Sequence, residues 1–225
     1  VDFLFNTVGH VESHLEFKEC VSFALAESQE VFDWYVNVAR WSTEHVAMVR
    51  SGVDLERFSP KGRPKALVDK YCIDASELVV GFSGRLSEVK YPDIFVEVAN
   101  LCRECENIRF MMTGAGPMKK TTLDMVKALP PGVRFEFAGL VDDVDQYLAL
   151  SDVLVLPSRL DGRPLVVMEA LACGVPVIAS NVGGLADLVC DGKNGYLVPP
   201  ADARAIADRI VRLAGDRALL AALKE

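Results

Sequence analysis

Residues 153–179 read VLVLPSRLDGRPLVVMEALACGVPVIA, and the order of residue types in this stretch decides the fold. Val153–Leu156 is a short apolar run typical of a buried strand. Pro164–Ala172 has the composition of a helix with proline in its first turn, and Pro176–Ala179 is a second buried strand. A strand, a helix and a strand in this order predict a parallel β-α-β unit with a right-handed crossover.

The same alternation continues on both sides of this unit. Before it we predict strands at Leu78–Ser83, Ile108–Thr113 and Val133–Ala138, with helices at Pro92–Cys105, Lys119–Leu129 and Val144–Leu150. After it we predict a short helix Leu185–Cys190, a strand Tyr196–Val198 and a helix Ala201–Leu213. This pattern predicts an α/β fold with a doubly wound parallel sheet, in which ligands bind at the carboxyl ends of the strands.

Residues 1–60 differ from the rest of the chain. Val21–Ala26, Glu27–Arg40 and Val46–Val49 predict a strand, a helix and a strand, which together cannot bury both faces and need a partner sheet. Glycine and proline punctuate residues 51–64, as in a linker. We therefore predict two domains, residues 1–60 and residues 61–225.

The composition limits the partners of the chain. The formal net charge is −8, from 24 basic and 32 acidic residues, which argues against non-specific binding of nucleic acid or of an anionic membrane. No apolar stretch is long enough to span a bilayer. The start at Val1 lacks both an initiator methionine and the pattern of a signal peptide, so we expect a chain cut from a longer cytoplasmic protein.

Cys102 and Cys105 form a lone C-x-x-C motif inside a predicted helix. A structural zinc site needs a second pair of ligands, and the sequence offers neither another C-x-x-C nor a nearby histidine. We expect reduced thiols on a helix and predict no metal site.

Glu169 is the only charged residue between Arg163 and Ser180. A carboxylate in such apolar surroundings costs several kcal/mol to desolvate unless partners satisfy it. Asp161 lies eight residues earlier, in the loop before the same helix, so both carboxylates point to one end of the sheet. The alternative is structural: an acid near a helix N-terminus that the helix dipole favours, or a partly exposed glutamate.

A second candidate follows the predicted strand Leu78–Ser83. Gly84 lets the backbone turn, and Arg85 and Lys90 then flank the start of the helix at Pro92. Free N–H groups at a helix N-terminus favour an anion, and the planar fork of arginine suits phosphate oxygens. Taken alone, the two cations could equally be solvated surface charges.

Together these motifs resemble the family 4 (group 1) retaining glycosyltransferases over about residues 20–215. The resemblance rests on an acid, seven residues and a glutamate (Asp161 to Glu169), followed by the Ala-rich helix and Gly174-Val175-Pro176-Val177. It continues through Asn181–Gly184, Asp191–Val198 and the motif Gly84-Arg85-x-x-x-x-Lys90. Two positions depart from the family: Asp161 stands where glutamate is more usual, and Ser51 where asparagine is.

The resemblance implies a GT-B fold, of which this chain holds mainly the C-terminal, Rossmann-like donor-binding domain and a β-α-β remnant of the N-terminal domain. It also implies the site. Glu169 would accept hydrogen bonds from ribose hydroxyls, Asp161 would orient the donor sugar, and Arg85 and Lys90 would clamp the diphosphate. Asp161, Arg85 and Lys90 are the catalytic candidates, and the other donor-binding candidates are Gly84, Gly114, Leu140 beside the nucleobase, Gly162 and Leu165.

The implied reaction is transfer of a hexose-type sugar from a nucleoside diphosphate sugar to a hydroxyl acceptor with retention, as in polysaccharide or glycolipid synthesis. Two cations can take the part of a divalent ion, so we predict metal independence and no cofactor beyond the donor. The partners would be the nucleotide sugar and the absent part of the N-terminal domain, through which a membrane could be touched. We expect the isolated chain to bind donor but to transfer little or no sugar.

Three alternatives stay open. Another GT-B enzyme, such as a nucleotide-sugar epimerase or a sugar-phosphate synthase, would share the architecture. A dehydrogenase or non-enzymatic Rossmann-type module would use Thr113–Pro117 as its nucleotide loop, although this loop lacks the third glycine of a dinucleotide fingerprint. A non-catalytic subunit could keep the fold. The three histidines, His10, His14 and His45, match no motif of the family.

Overall fold

The protein, seen in a computed structural model that describes residues 3–6 and 22–224, contains two parallel sheets. The strands are β1 (Phe3–Asn6), β2 (Phe23–Ala26), β3 (Val46–Met48), β4 (Leu78–Ser83), β5 (Ile108–Thr113), β6 (Arg134–Gly139), β7 (Val153–Leu156), β8 (Val177–Ser180) and β9 (Gly195–Val198). The helices are α1 (Gln29–Asn37), α2 (Lys65–Tyr71), α3 (Pro92–Leu101), α4 (Lys119–Lys127), α5 (Val144–Leu150), α6 (Leu165–Ala172), α7 (Ala203–Gly215) and α8 (Arg217–Ala222).

The larger sheet has six strands in the order β6-β5-β4-β7-β8-β9, all parallel. The chain therefore builds outward from β4 to β6 on one side and then resumes on the other side of β4 with β7. This change of direction creates a crevice at the carboxyl ends of β4 and β7, where open α/β sheets bind their ligands. The predicted doubly wound α/β fold is confirmed.

Strands β4, β5, β7 and β8 are buried along their whole length, which explains why their sequences are mostly apolar; the charged exception among them is Arg109 of β5. One hydrophobic core joins them to the helices on the two faces of the sheet. Phe95 of α3 lies at its centre, with ring centroids 5.3 Å from Phe82 and 5.6 Å from Phe110. Pro92 is the first residue of α3, as predicted.

The smaller sheet has the order β1-β2-β3 and its own core. The predicted β-α-β unit is present as β2, α1 and β3, and β1 adds a third parallel strand that the sequence analysis did not predict. Two contacts tie this unit to the larger sheet: the N–H of Gln29 donates to Asp187 Oδ2 at 3.1 Å, and Ser28, fully buried, packs against Gly184. The division at residue 60 stays a prediction, and the linker residue Phe58 packs in the larger core.

Other elements differ from the prediction. The predicted helix Leu185–Cys190 is wrong: a short 3-10 turn, Gly183–Leu185, stands there instead. The side chain of Asn194 binds both the carbonyl of Leu188 and the N–H of Cys190, which takes the groups that a longer helix would use. The helix predicted to Cys105 ends at Leu101, so the C-x-x-C motif lies just beyond it.

At the amino ends of the strands, Glu77 holds a buried ion-pair network. Its carboxylate accepts hydrogen bonds from both Nε and Nη2 of Arg109 at 3.2 Å, from Arg134, and from the N–H of Asp74 at 2.8 Å. Burial alone would raise the pKa of Glu77, but these hydrogen bonds outweigh it and the pKa lies below the usual value. The network joins β4, β5 and β6 on the side of the sheet away from the ligand-binding edge.

Replacing Glu77 by glutamine should lower the free energy of unfolding by about 3 kcal/mol, because Arg109 loses its buried counter-ion and keeps only the more exposed Glu136, at 3.0 Å. Since the folded pKa of Glu77 is depressed, its stabilisation is complete above the unfolded value of about 4.3 and is lost as the pH falls through the folded value. Chemical denaturation at pH 7 and across the acid range measures both effects. Glu104→Gln, at an exposed ion pair, is the control, and equal stability of the two variants would contradict the assignment.

Candidate functional site

The loops that follow β4, β5 and β6 are joined by backbone hydrogen bonds at the carboxyl edge of the sheet. The N–H of Gly84 donates to the carbonyl of Thr113 at 3.2 Å, and the N–H of Gly114 donates to the carbonyl of Gly139 at 2.7 Å. The N–H of Leu86 donates to the carbonyl of Ala115 at 2.9 Å. The three loops therefore form one continuous rim.

Gly114 is the glycine that this rim requires. Its φ is +134°, and a Cβ at this position would lie 1.8 Å from the carbonyl oxygen of Gly84. Gly84 has no positive φ, and a Cβ there would meet open space. The chain bends at Gly84, but the bend does not require a glycine, and the close approach of the two loops depends on Gly114.

A cavity of about 280 Å³ lies against this rim. Four predicted residues line it together, namely Gly84, Arg85, Gly114 and Leu140. Leu140 is 78% exposed. The remaining lining residues are Ser83, Thr113, Ala115, Val141 and Val144. The lining thus combines apolar side chains from the stretch between β6 and the start of α5 with an arginine from the loop after β4.

Lys90 and Asp161 meet above the crevice between β4 and β7. The ammonium of Lys90 pairs with the carboxylate of Asp161, which also accepts a hydrogen bond from Ser158 Oγ at 3.1 Å. The N–H of Arg159 donates to the carbonyl of Val89 at 2.8 Å and holds the two loops together. The structure therefore joins the predicted cation of one loop to the predicted carboxylate of the other.

The loop after β8 lies against the backbone of Asp161 and Gly162 and fixes its position. The N–H of Gly184 donates to the carbonyl of Asp161 at 3.0 Å. A Cβ on Gly183 would lie 2.0 Å from the same carbonyl oxygen, and one on Gly184 would lie 1.6 Å from the carbonyl oxygen of Gly162. These backbones approach so closely that only glycine fits.

Glu169 is the fifth residue of α6, which begins at Leu165 after Pro164. Its side chain is half-buried, as its apolar surroundings predict, while Leu165 at the start of the helix is 53% exposed. Burial raises the pKa of Glu169, and the positive charge of Arg57 opposes that rise. The cation that acts on Glu169 therefore comes from the linker between the two sheets.

Arg57 is the residue that the sequence analysis missed. The partners of its side chain, Asp142 and Asp145, are more than 80 positions away in the sequence. Its charge does not single it out locally, because residues 51–64 also contain Asp54, Glu56, Lys61 and Arg63.

The remaining titratable candidates lie away from the carboxyl edge of the larger sheet or outside the described residues. His45 packs edge-on against Phe23 in the smaller sheet, and His10 and His14 lie outside the described residues. Burial, followed by the neighbouring Cys105, raises the pKa of Cys102 to about 12, so this thiol stays protonated at neutral pH. Over residues 3–6 and 22–224, no three side chains of the metal-binding types gather as ligands.

Within the described parts of the chain, no helix is both long and apolar enough to cross a membrane.

The family model described as glycosyl transferases group 1 matches residues 65–225. A D-inositol 3-phosphate glycosyltransferase of Streptomyces bingchenggensis is 34% identical over 208 residues, which are 87% of this chain and 46% of that protein. An N-acetyl-alpha-D-glucosaminyl L-malate synthase of Bacillus anthracis is 34% identical over 154 residues, 68% of this chain and 40% of that protein. The chain thus spans less than half the length of these relatives.

Two solved structures have a similar fold. Anabaena HepE, in complex with UDP and glucose, superposes with a TM-score of 0.85 at 23% identity, over 99% of this chain and 64% of that one. A sucrose-phosphate synthase from Thermosynechococcus elongatus superposes with a TM-score of 0.79 at 27% identity, over 95% of this chain and 55% of that one.

Replacing Gly114 by alanine should destabilise the protein by about 2 kcal/mol or more, because the new Cβ meets the backbone of Gly84 and the positive φ disfavours any other residue. Urea denaturation measures the change. Gly62→Ala is the control, since Gly62 has open space around it and no positive φ. A Gly114→Ala protein as stable as that control would show that the two loops do not lie this close.

Proposed function

The chain belongs to the group 1 glycosyl transferases, and on this premise we propose that it is the donor-binding part of a retaining enzyme that transfers a sugar from a nucleoside diphosphate sugar to a hydroxyl acceptor. The observation that carries this proposal is that the carboxyl edge of the larger sheet bears both a cavity lined by Arg85 and, in the loops after the neighbouring strands β4 and β7, the ion pair of Lys90 with Asp161. Two cations suit a diphosphate, and a carboxylate suits sugar hydroxyls.

The nucleoside would occupy the cavity beside Arg85. Apolar side chains of Leu140, Val141 and Val144 offer a surface for a flat base. At about 280 Å³ the cavity lies just below the range of about 300–1,000 Å³ that is usual for whole ligands. It therefore suits one end of a nucleotide sugar better than all of it. Glu169 would then accept hydrogen bonds from the ribose hydroxyls.

The diphosphate would have to share Lys90 with Asp161, because the two are paired in this structure. Asp161 is nearly buried, at 10% exposure of its side chain, so it gains from new hydrogen-bond donors when Lys90 turns to a phosphate. The hydroxyls of the donor sugar are such donors. Arg85 and Lys90 would also stabilise the negative charge that builds on the departing diphosphate.

The names of the relatives guide the choice of probes. HepE is described in complex with UDP and glucose, which makes UDP the first nucleotide to test. The relatives named above differ in the acceptors that their names give, so we assign no acceptor. We further propose that this chain alone binds the donor without appreciable transfer.

Titration calorimetry with UDP, GDP and ADP should reveal binding of at least one of them to this chain. Glu169→Gln should weaken that binding about tenfold, because a hydrogen bond to a charged group contributes about 1.5–3 kcal/mol. The difference in affinity between the wild type and Glu169→Gln should disappear with the 2′-deoxy and 3′-deoxy forms of the nucleotide, since these lack groups that Glu169 would bind.

Arg103→Ala, at an exposed ion pair with Glu104, serves as the control for a general change of charge. No heat with any of the three nucleotides would remove the proposal. Unchanged affinity in Glu169→Gln would return Glu169 to a structural role while leaving the nucleotide site in place.

We also propose that donor binding needs no metal, because Arg85 and Lys90 supply the positive charge that a divalent ion supplies elsewhere. The dissociation constant should change less than twofold between EDTA and millimolar Mg²⁺ or Mn²⁺. An affinity that rises tenfold or more with either ion and falls again with chelator is the opposite result, and it would end this part of the proposal.

A further inference from the structure

We propose that Arg57, in the linker between the two sheets, is a positioning residue of the nucleotide site: it clamps the stretch from the end of β6 to the first turn of α5, which walls the cavity. This inference rests on the proposed function and adds a residue to it. Arg57 does not line the cavity, but its side chain contacts residues that lie next to the lining residues in the sequence.

A tight turn in the linker fixes the direction of Arg57. The carboxylate of Asp54 accepts hydrogen bonds from the N–H of Glu56 at 3.0 Å and of Arg57 at 3.2 Å. The N–H of Phe58 donates to the carbonyl of Asp54 at 2.9 Å. Phe58 is 5% exposed and belongs to the larger core, so the linker cannot rotate without pulling a ring out of that core.

The guanidinium of Arg57 grips the cavity wall at two points. Nη2 donates to the carbonyl of Asp142 at 2.6 Å, and Nε pairs with Asp145 Oδ1 at 3.2 Å. These partners alternate with the residues that line the cavity, Val141 and Val144. A fork of this kind fixes the orientation of its partners as well as attracting them. Arg57 therefore holds the segment that would contact the base.

Arg57 also acts on the carboxylate that the ribose would need. Arg57 on the linker is the charged group that acts on Glu169. Glu169 in turn acts on Cys173 at the end of α6, where Lys61 on the linker and Asp145 on α5 also act. Burial raises the pKa of Glu169 and Arg57 opposes this rise. An ionised carboxylate only accepts hydrogen bonds, which is the form that two hydroxyl donors require. The charge of Arg57 thus favours the binding form of Glu169.

The two effects separate when affinity is measured against pH. Affinity should be constant while Glu169 is ionised and should fall once the pH drops through its pKa. Removing Arg57 raises that pKa further, so the fall should begin at higher pH. A purely structural loss of the wall would instead lower affinity by the same factor at every pH.

The experiment is calorimetric titration of the whole chain with UDP, or with whichever diphosphate binds best, from pH 5 to pH 8. Arg57→Ala should weaken binding about tenfold at pH 7 and move the acid fall to higher pH. Arg57→Lys should leave the acid fall in place, because the charge is kept, but restore only part of the affinity, because lysine lacks the fork. Arg103→Ala should match the wild type throughout.

A double variant makes the outcomes distinct. In a Glu169→Gln background, Arg57→Ala should no longer shift the pH profile of the affinity. The pH dependence that this background retains measures the contribution of the ligand phosphates, which can then be subtracted. A profile lowered evenly at all pH values, or a variant that behaves like Arg103→Ala, overturns the inference while the nucleotide site stands. If the wild type binds no diphosphate at any pH, the proposed function itself fails and the inference falls with it.

Discussion

The contact between Lys90 and Asp161 across the switch point of the larger sheet is the interaction on which the rest of the site depends. These residues lie in loops that follow β4 and β7, 71 positions apart, and they can meet only because the two strands are neighbours in the sheet. Gly183 and Gly184 lie against the backbone of the loop after β7, and Gly114 sets the distance between the loops that follow β4 and β5. Topology brings the charges together, and glycine backbones fix their separation.

The electrostatics explain how an acidic chain can attract an anionic ligand. The net charge is −8, so attraction must come from local cations, and one of these, Lys90, is already paired with a carboxylate. The pair lowers the cost of keeping Lys90 partly buried. A phosphate must therefore compete with Asp161 for Lys90, so the affinity depends on whether the ligand also provides hydrogen-bond donors for Asp161. A sugar offers hydroxyls, whereas a bare diphosphate offers none.

Much of the larger sheet follows from the sequence, because a strand buried on both faces is mostly apolar. The bounds of β4, β5, β7 and α5 agree with the prediction to the residue. Glu169 was visible as a charge in apolar surroundings, and Asp161 as a second acid in the loop before the same helix. Arg57 was not, since its role depends on contacts made only after folding. The helix predicted at 185–190 failed because the side chain of Asn194 captures the backbone groups that the helix needs.

The most direct test of the account is a crystal structure of this chain with a bound nucleoside diphosphate. The phosphates should lie against Arg85 and Lys90, the base in the cavity beside Leu140, and the ribose hydroxyls within hydrogen-bond distance of Glu169. Density for the nucleotide at the amino ends of the strands, or a Glu169 side chain turned to solvent and away from the ribose, would contradict the claim that this edge of the sheet is the donor site.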